Sequence, residues 1–295
     1  MSARLREIRV RDFDIKHTFE SAQPLTFYAD YDYADGVLTY PCGKGMITAF
    51  FSGDSKNCSI SAEPEAHAEI AHRLRLDDNM QRIYRSIGTD RFVRATIGKY
   101  RGMRLTLNEP WVTTVCFIIS QFNNVKRITM ITHNILNTFG TPITYEGVSA
   151  GKAFPSCEEL LKVPEKKFGE CGAGFRAKYL VQAADFCAHN LDLEKLEGRS
   201  YCSIKEQLME IPGVGDKVAD CIALMGYGKL EAFPIDVWVK RTLENLYFRG
   251  NAKKISDLHE FAEEKFGRYA GYAQQYLFHS SRINKDRLSK HFVQR

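Results

Sequence analysis

The sequence predicts an α+β protein: an N-terminal antiparallel β-sheet lobe followed by a mostly α-helical remainder. Three observations predict it. Short alternating runs with an Asp-Gly turn crowd the start of the chain, the apolar period becomes helical from about Glu63, and that shift happens only once, with no internal repeat or low-complexity linker. The division this suggests is a sheet domain with short helices over 1–105 and a helical region over 106–295, with a hairpin at about 203–226.

Taken in order, Thr26 to Tyr33 alternates as a strand, Ala34-Asp35-Gly36 turns it, and Val37 to Tyr40 returns. Met46–Phe51 and Cys58–Ser61 supply further strands. Helices are expected over 64–74, 79–87 and 90–99. Asn108-Glu109-Pro110 starts another, with a capping residue ahead of a proline in the first turn. Trp111 to Ser120 is apolar enough to lie in the core. Asn123-Asn124 interrupts, Val125 to Phe139 resumes, and Gly140 stops the helix. Ser156 caps a short helix through Leu161, and Pro164 opens another that Gly172-Ala173-Gly174 ends. Helices over 175–189, 203–209, 216–225, 236–246, 256–266 and 269–280 complete the pattern, and the basic tail from Arg282 to Arg295 is expected to pack poorly.

Composition bounds the function only loosely. The 295 residues are 44% hydrophobic and 26% charged, ordinary for a globular chain, and the net charge of +5 permits a nucleic-acid partner without demanding one. The opening, with Arg4, Arg6, Arg9 and Arg11, does not resemble a secretory signal, and no stretch approaches the length of a membrane span, so no membrane partner is expected. Eight cysteines form no C-x-x-C pair and no zinc-finger spacing, which fits reduced thiols in the cytoplasm or nucleus and makes a catalytic metal unexpected.

The chain's strongest motif is Leu208 to Cys221, two apolar helical segments around Pro212-Gly213-Val214-Gly215, with Lys217 just beyond. Gly213 and Gly215 let the backbone turn sharply and approach another surface. The loop amides, with the N-terminus of the helix starting near Asp216, suit a DNA phosphate. A structural joint between helices is an equal reading of the turn alone. Lys217 lies where the helix dipole disfavours a positive charge, so a partly desolvated amine there becomes a nucleophile; a solvated lysine contacting phosphate is the plainer alternative. Asp236 follows nineteen residues later, at the start of a helix, where capping is the commonest role of an aspartate. Capping and facing a substrate are compatible. A lysine paired with an aspartate suggests attack at a sugar C1′ while the carboxylate stabilises positive charge on the sugar, with the base taken out of the stack first.

Ile211–Ile222 followed by Pro234–Val237 resembles the helix-hairpin-helix (HhH-GPD) DNA glycosylase superfamily, and within it the 8-oxoguanine DNA glycosylase/lyase branch. Ser120–Ile128, Phe154–Ser156, Gly172–Tyr179 and Tyr269–Phe278 fit the same branch in order, so the resemblance covers most of the chain. It implies a base-excision repair enzyme acting on double-stranded DNA that contains 8-oxoguanine opposite cytosine. Lys217 is then the Schiff-base nucleophile and Asp236 the assisting carboxylate. The resemblance implies a base pocket of Ala22, Cys221, Met225, Gln274 and Phe278. Arg127 and Arg176 would read the orphaned cytosine, Asn124 would stay near the vacated stack, and Phe175 would wedge beside it. Gly213, Gly215 and Trp238 would meet DNA phosphates, and main-chain carbonyls of Met209, Ile211 and Val214 would hold a structural cation.

Three departures stand out. Phe122 replaces an asparagine of animal members, Ala22 stands where a glycine carbonyl is expected, and Trp238 replaces a histidine. These look more like bacterial and archaeal members. No catalytic cofactor is implied, and with Cys221 the last cysteine no iron–sulfur cluster can follow Asp236. A monomer is expected, cytoplasmic at the nucleoid in a prokaryote or nuclear in a eukaryote. The rivals are a helix-hairpin-helix glycosylase for another damaged base and a non-catalytic DNA-binding module; Lys217 argues against monofunctional glycosylases, and Asp236 against the module.

Overall fold

A computed structural model describes residues 5–43, 45–54, 57–145 and 148–283. Five strands make one antiparallel sheet: β1 (Arg6–Val10), β2 (Asp30–Asp32), β3 (Val37–Cys42), β4 (Gly45–Gly53) and β5 (Cys58–Ala62), in the spatial order β1-β5-β4-β3-β2. Period-two alternation explains its one buried face. Leu38 pairs with Ala49 and Phe51 with Ile60, and these side chains with Tyr40 and Ala62 are buried while most of their neighbours are exposed or half-buried. The turn between β2 and β3 forms as the Asp-Gly signal predicts. Asp32 Oδ1 accepts from the amides of Ala34 and Asp35 at 2.8 and 3.2 Å.

Two features of this lobe differ from expectation. Thr26 to Tyr33 is not one strand: helix α2 (Pro24–Tyr28) takes its first half, and only Asp30–Asp32 extends. Pro24 at the first helical position presets the backbone, and Leu25, Phe27 and Tyr28 reach the core better from a helical turn than from an edge strand. Strand β1 was not foreseen, because only Ile8 and Val10 of its five residues are apolar, too short an alternation to stand out at the sheet edge. Helix α1 (Ile15–Phe19) precedes α2, with Asp14 accepting from the His17 amide at 2.8 Å.

Helices α3 (Ala66–Arg73), α4 (Met80–Ile87) and α5 (Arg91–Lys99) follow, close to their predicted ranges. Asp90 caps α5 through the amides of Phe92 and Val93. The almost fully buried Arg104 ties this region together by donating to the carbonyls of Arg11, Asp12, Arg75 and Asp78.

Helix α6 (Pro110–Ser120) is buried from Val112 to Ile119, with each large apolar side chain contributing about 1.5–3 kcal/mol. Asn108 does not cap it. Its amide group instead accepts from Tyr28 Oη at 2.9 Å and donates to Thr106 Oγ1 at 3.0 Å. After α7 (Val125–Phe139) comes an unforeseen hairpin, β6 (Thr141–Tyr145) with β7 (Val148–Ala153). Its run of small and polar residues carries little apolar signal.

Helix α8 (Cys157–Leu161) has the predicted cap, a full capping box between Ser156 and Glu159. Then come α9 (Glu165–Glu170), α10 (Arg176–His189), α11 (Tyr201–Leu208), α12 (Asp216–Gly226), α13 (Val237–Tyr247), α14 (Ile255–Phe266) and α15 (Ala270–Ile283). Helix α12 lies along α6, and α15 crosses back onto the N-terminal region. Gly271 lets α15 pack closely against Leu224 of α12 and the loop before α13, since a Cβ there would meet Leu224 Cδ1 at 2.3 Å. Tyr276 Oη donates to the Met103 carbonyl and Gln275 Nε2 to the Ser21 carbonyl, at 2.9 and 2.7 Å. Arg282, expected in a poorly packed tail, ends α15 with its guanidinium on the Glu20 carbonyl; residues 284–295 lie outside the described residues. No helix among the described residues is long and apolar enough to cross a membrane.

Candidate active site

The hairpin forms as expected. Leu208 and Ile211 are buried, and Gly213 turns the chain at φ 88°, with the Tyr179 side chain 2.8 Å from where its Cβ would stand. Gly215 differs. Its backbone is extended (φ −97°, ψ −178°) and a Cβ there would meet nothing within 4 Å. Neither conformation nor packing inside the protein asks for glycine at 215, which stands exposed at the head of α12. No side chain caps α12, so its first amides remain for an anion.

Lys217 lies in the first turn of α12, half-buried, with Nζ 5.1 Å from the centre of the buried Phe117 ring. Buried Cys221 lies one turn on along the same helix, near enough for the charges of Lys217 and Asp236 to act on its thiol. Burial pushes the Cys221 thiol up to about 11, the Lys217 charge pulling against it and the carboxylates of Asp220 and Asp236 adding to it. At neutral pH that thiol is protonated and a poor nucleophile. Asp236 caps α13 as its position suggests: Oδ1 accepts from the Val239 amide at 2.7 Å, leaving the half-buried carboxylate a second oxygen. Trp238 stands in the next turn, half-buried.

The predicted pocket residues fall on three elements. Cys221 and Met225 lie buried on α12, Gln274 and the half-buried Phe278 on α15, and Ala22 on the loop before α2. Gln274 is only 5% exposed, and its Oε1 has no hydrogen-bond partner in the protein. A buried, unanswered amide acceptor is costly unless a ligand or water meets it. Ala22 holds φ 58°, a left-handed backbone unusual for alanine. The neighbouring Ser21 carbonyl accepts from Gln275, so the residue after Gln274 fixes the loop that carries Ala22.

Phe122 is 95% exposed at φ 48°, and Phe175 is 56% exposed, the two ring centres 6.4 Å apart. A bulky residue held in left-handed backbone with its ring in solvent marks a position kept for something other than stability. Asn124 caps α7 by accepting from the Arg127 amide at 3.0 Å. Arg127 is exposed, its guanidinium 3.4 Å from the Gly172 carbonyl. Arg176 is already engaged inside the protein. It is 4% exposed, and its guanidinium is engaged by the carbonyls of Ala173, Gln121 and Phe122. It braces the loop that carries Phe122.

In the turn, the Ile211 carbonyl accepts from the Val214 amide at 2.9 Å and keeps a lone pair, while Met209 closes α11. Three residues beyond those expected support the site: Phe117 under the lysine, Gln275 behind Ala22, and Gln121, whose Nε2 donates to the Gly213 carbonyl at 3.0 Å. Gln121 sits in a stretch that fits the glycosylases, but only its long-range bond reveals its use.

Residues 115–268 match the family of HhH-GPD superfamily base excision DNA repair proteins. The chain belongs to that superfamily. Among this HhH-GPD protein's relatives, a probable N-glycosylase/DNA lyase of Methanothermobacter thermautotrophicus is 33% identical over 212 residues, 65% of this chain and 68% of that one. The solved structure of MBOgg1 in complex with a low affinity DNA ligand is 32% identical, with a TM-score of 0.86 over 97% of this chain and all of that one. The 8-oxoguanine glycosylase/lyase of Clostridium acetobutylicum, solved with double-stranded DNA carrying cytosine opposite 8-oxoG, is 28% identical. Its TM-score is 0.84 over 96% of this chain and 98% of that one.

Proposed function

We propose that this chain is a base-excision DNA glycosylase with lyase activity that removes 8-oxoguanine from duplex DNA, opposite cytosine. The observation that carries the reading is the half-buried Lys217 in the first turn of α12, its amine over the Phe117 ring, with Asp236 at the head of α13. A nucleophilic amine and a stabilising carboxylate then meet one sugar.

The chemistry balances with these two groups. The Lys217 amine attacks C1′ as the glycosidic bond breaks and its electron pair leaves with the base, which takes up a proton. Asp236 stabilises the positive charge that develops on the sugar. Ring opening gives a Schiff base between Nζ and C1′. Loss of a C2′ proton then expels the 3′ phosphate and nicks the strand.

The other residues divide between base and backbone. The unanswered Oε1 of Gln274 supports a hydrogen bond to the flipped base, Phe278 supplies a face to stack on, and Ala22, Cys221 and Met225 line the remainder. The exposed rings of Phe122 and Phe175 suit insertion into the vacated stack beside the cytosine, near Asn124, with the exposed Arg127 placed to meet its acceptor atoms. Arg176 acts here as the brace of Phe122. The amides after Gly213 and Gly215, with Trp238, take phosphates, and the carbonyls of Met209, Ile211 and Val214 suit a structural cation beside them. Lys217, Asp236, Phe278 and Phe122 all come from one chain, so a monomer suffices. The enzyme would work at the nucleoid of a prokaryote or in a eukaryotic nucleus.

The test is strand nicking of duplexes carrying a single 8-oxoguanine opposite each of the four bases. Cleavage strongest opposite cytosine is expected; cleavage of the oxidised duplexes no faster than undamaged DNA overturns the reading.

A further inference from the structure

Helix α12 carries a second polar cluster, turned toward α11 and α14. Asp216 and Asp220 sit one turn apart, and both carboxylates are shared between two partners. Their Oδ1 atoms hold Lys205 Nζ of α11 at 2.7 and 2.8 Å. Asp220 Oδ1 also accepts from Tyr201 Oη at 2.5 Å. Their Oδ2 atoms converge on Nε2 of His259 in α14, at 3.3 and 3.6 Å. One ligand atom from each of Asp216, Asp220 and His259 lies within 4.8 Å of the other two.

The buried end of this cluster is unanswered. The Asp220 side chain is fully buried, yet its Oδ2 has no hydrogen-bond partner, and neither has His259 Nε2. Two such atoms facing each other without a hydrogen bond is what results when both aim lone pairs at a common point. The spacing suits an ion at that point. Zinc bonds of about 2.0–2.2 Å in a tetrahedron hold neighbouring ligand atoms about 3.3–3.6 Å apart, and the Oδ2–Nε2 separations are 3.3 and 3.6 Å.

We propose that Asp216, Asp220 and His259 form a three-ligand site for a divalent transition ion of the zinc class, with water in the fourth position. Lys205 does not compete for it, because it holds the other oxygen of each carboxylate and orients both. The Asp216 side chain, 48% exposed, leaves the site open to solvent on one side. The ion clips α14 to the helical turn that carries Lys217.

The experiment uses the full chain, stripped of metal by a chelator. Zn2+ is titrated calorimetrically and Co2+ by visible absorption, for the wild type, His259→Gln and Asp216→Asn. One equivalent of Zn2+ should bind and raise the melting temperature. Affinity should fall at least about tenfold in each variant, and the Co2+ complex should show four-coordinate bands without a thiolate charge-transfer band. Absence of binding, unchanged affinity in His259→Gln, or a thiolate band placing the ion on cysteines such as Cys202 overturns the proposal; in the first two cases the cluster is an ion-pair network alone.

Discussion

Gln121 reaches across to the hairpin and donates from Nε2 to the Gly213 carbonyl at 3.0 Å. Its own carbonyl accepts from Arg176 Nε at 2.7 Å, so the loop that exposes Phe122 is tied at once to the hairpin and to α10. The proposed wedge and the proposed phosphate grip are thereby held in one frame. Gln121→Ala removes two side-chain hydrogen bonds, to the Gly213 and Ile118 carbonyls, each worth about 1 kcal/mol. We expect that loss in chemical denaturation, with a larger proportional loss in affinity for a duplex carrying a stable abasic-site analogue. A variant that binds this DNA like the wild type would separate the two elements.

Phe122 sits in left-handed backbone with its ring in solvent, so glycine there relieves strain without opening the core. Phe122→Gly should be more stable by about 1 kcal/mol, strain relief outweighing the greater freedom of the unfolded chain. The same variant should excise 8-oxoguanine more slowly and discriminate less among opposite bases. Denaturant melts and single-turnover excision measure the two halves; a variant that gains nothing in stability denies the strain.

Asp236 both caps α13 and faces the proposed site. Asparagine caps as well as aspartate but carries no charge to offset the sugar's. Asp236→Asn should therefore melt near the wild-type temperature while base excision falls roughly 100-fold or more. Nicking of a pre-formed abasic site, which needs no base loss, should survive much better.

His279 is fully buried against the rings of Tyr100 and His17, and both its ring nitrogens lack hydrogen-bond partners. Burial, with Arg282, His17 and Lys99 adding to it, pushes its pKa from 6.5 down to about 3. The unfolded chain therefore takes up this proton before the folded one does. The stability it confers is complete above pH 6.5 and falls by up to about 1.4 kcal/mol per pH unit below that. The decline ends near pH 3, where the folded chain is protonated too. His279→Leu should flatten this part of the acid limb of a stability–pH curve from urea melts. An unchanged slope would mean the imidazole is already charged in the folded state.

Much of this was legible in the residues because it is local. The helices follow apolar spacing and the capping residues Ser156 and Asp236; the hairpin and its lysine follow a run of fourteen residues. What misled was also local. Thr26 to Tyr33 alternates like a strand, but Pro24 starts a helix that buries three of its apolar side chains. The hairpin at 141–153 has too few apolar residues to announce itself. Other features were out of reach because they depend on distant partners: Gln121 with Gly213, Gln275 with Ser21, and Arg176 spent on the Phe122 loop. The backbone angle of Ala22 is likewise set by neighbours, not by alanine.

Borohydride trapping on duplex DNA with 8-oxoguanine opposite cytosine tests the central claim most directly, because it reports the covalent bond itself. The wild type and Cys221→Ser should both form a reduced protein–DNA adduct, with the modified peptide mapping to Lys217. Lys217→Gln should form none and leave the strand intact. An adduct that persists in Lys217→Gln, or maps to another residue, would contradict the assignment of the amine at the head of α12 as the nucleophile.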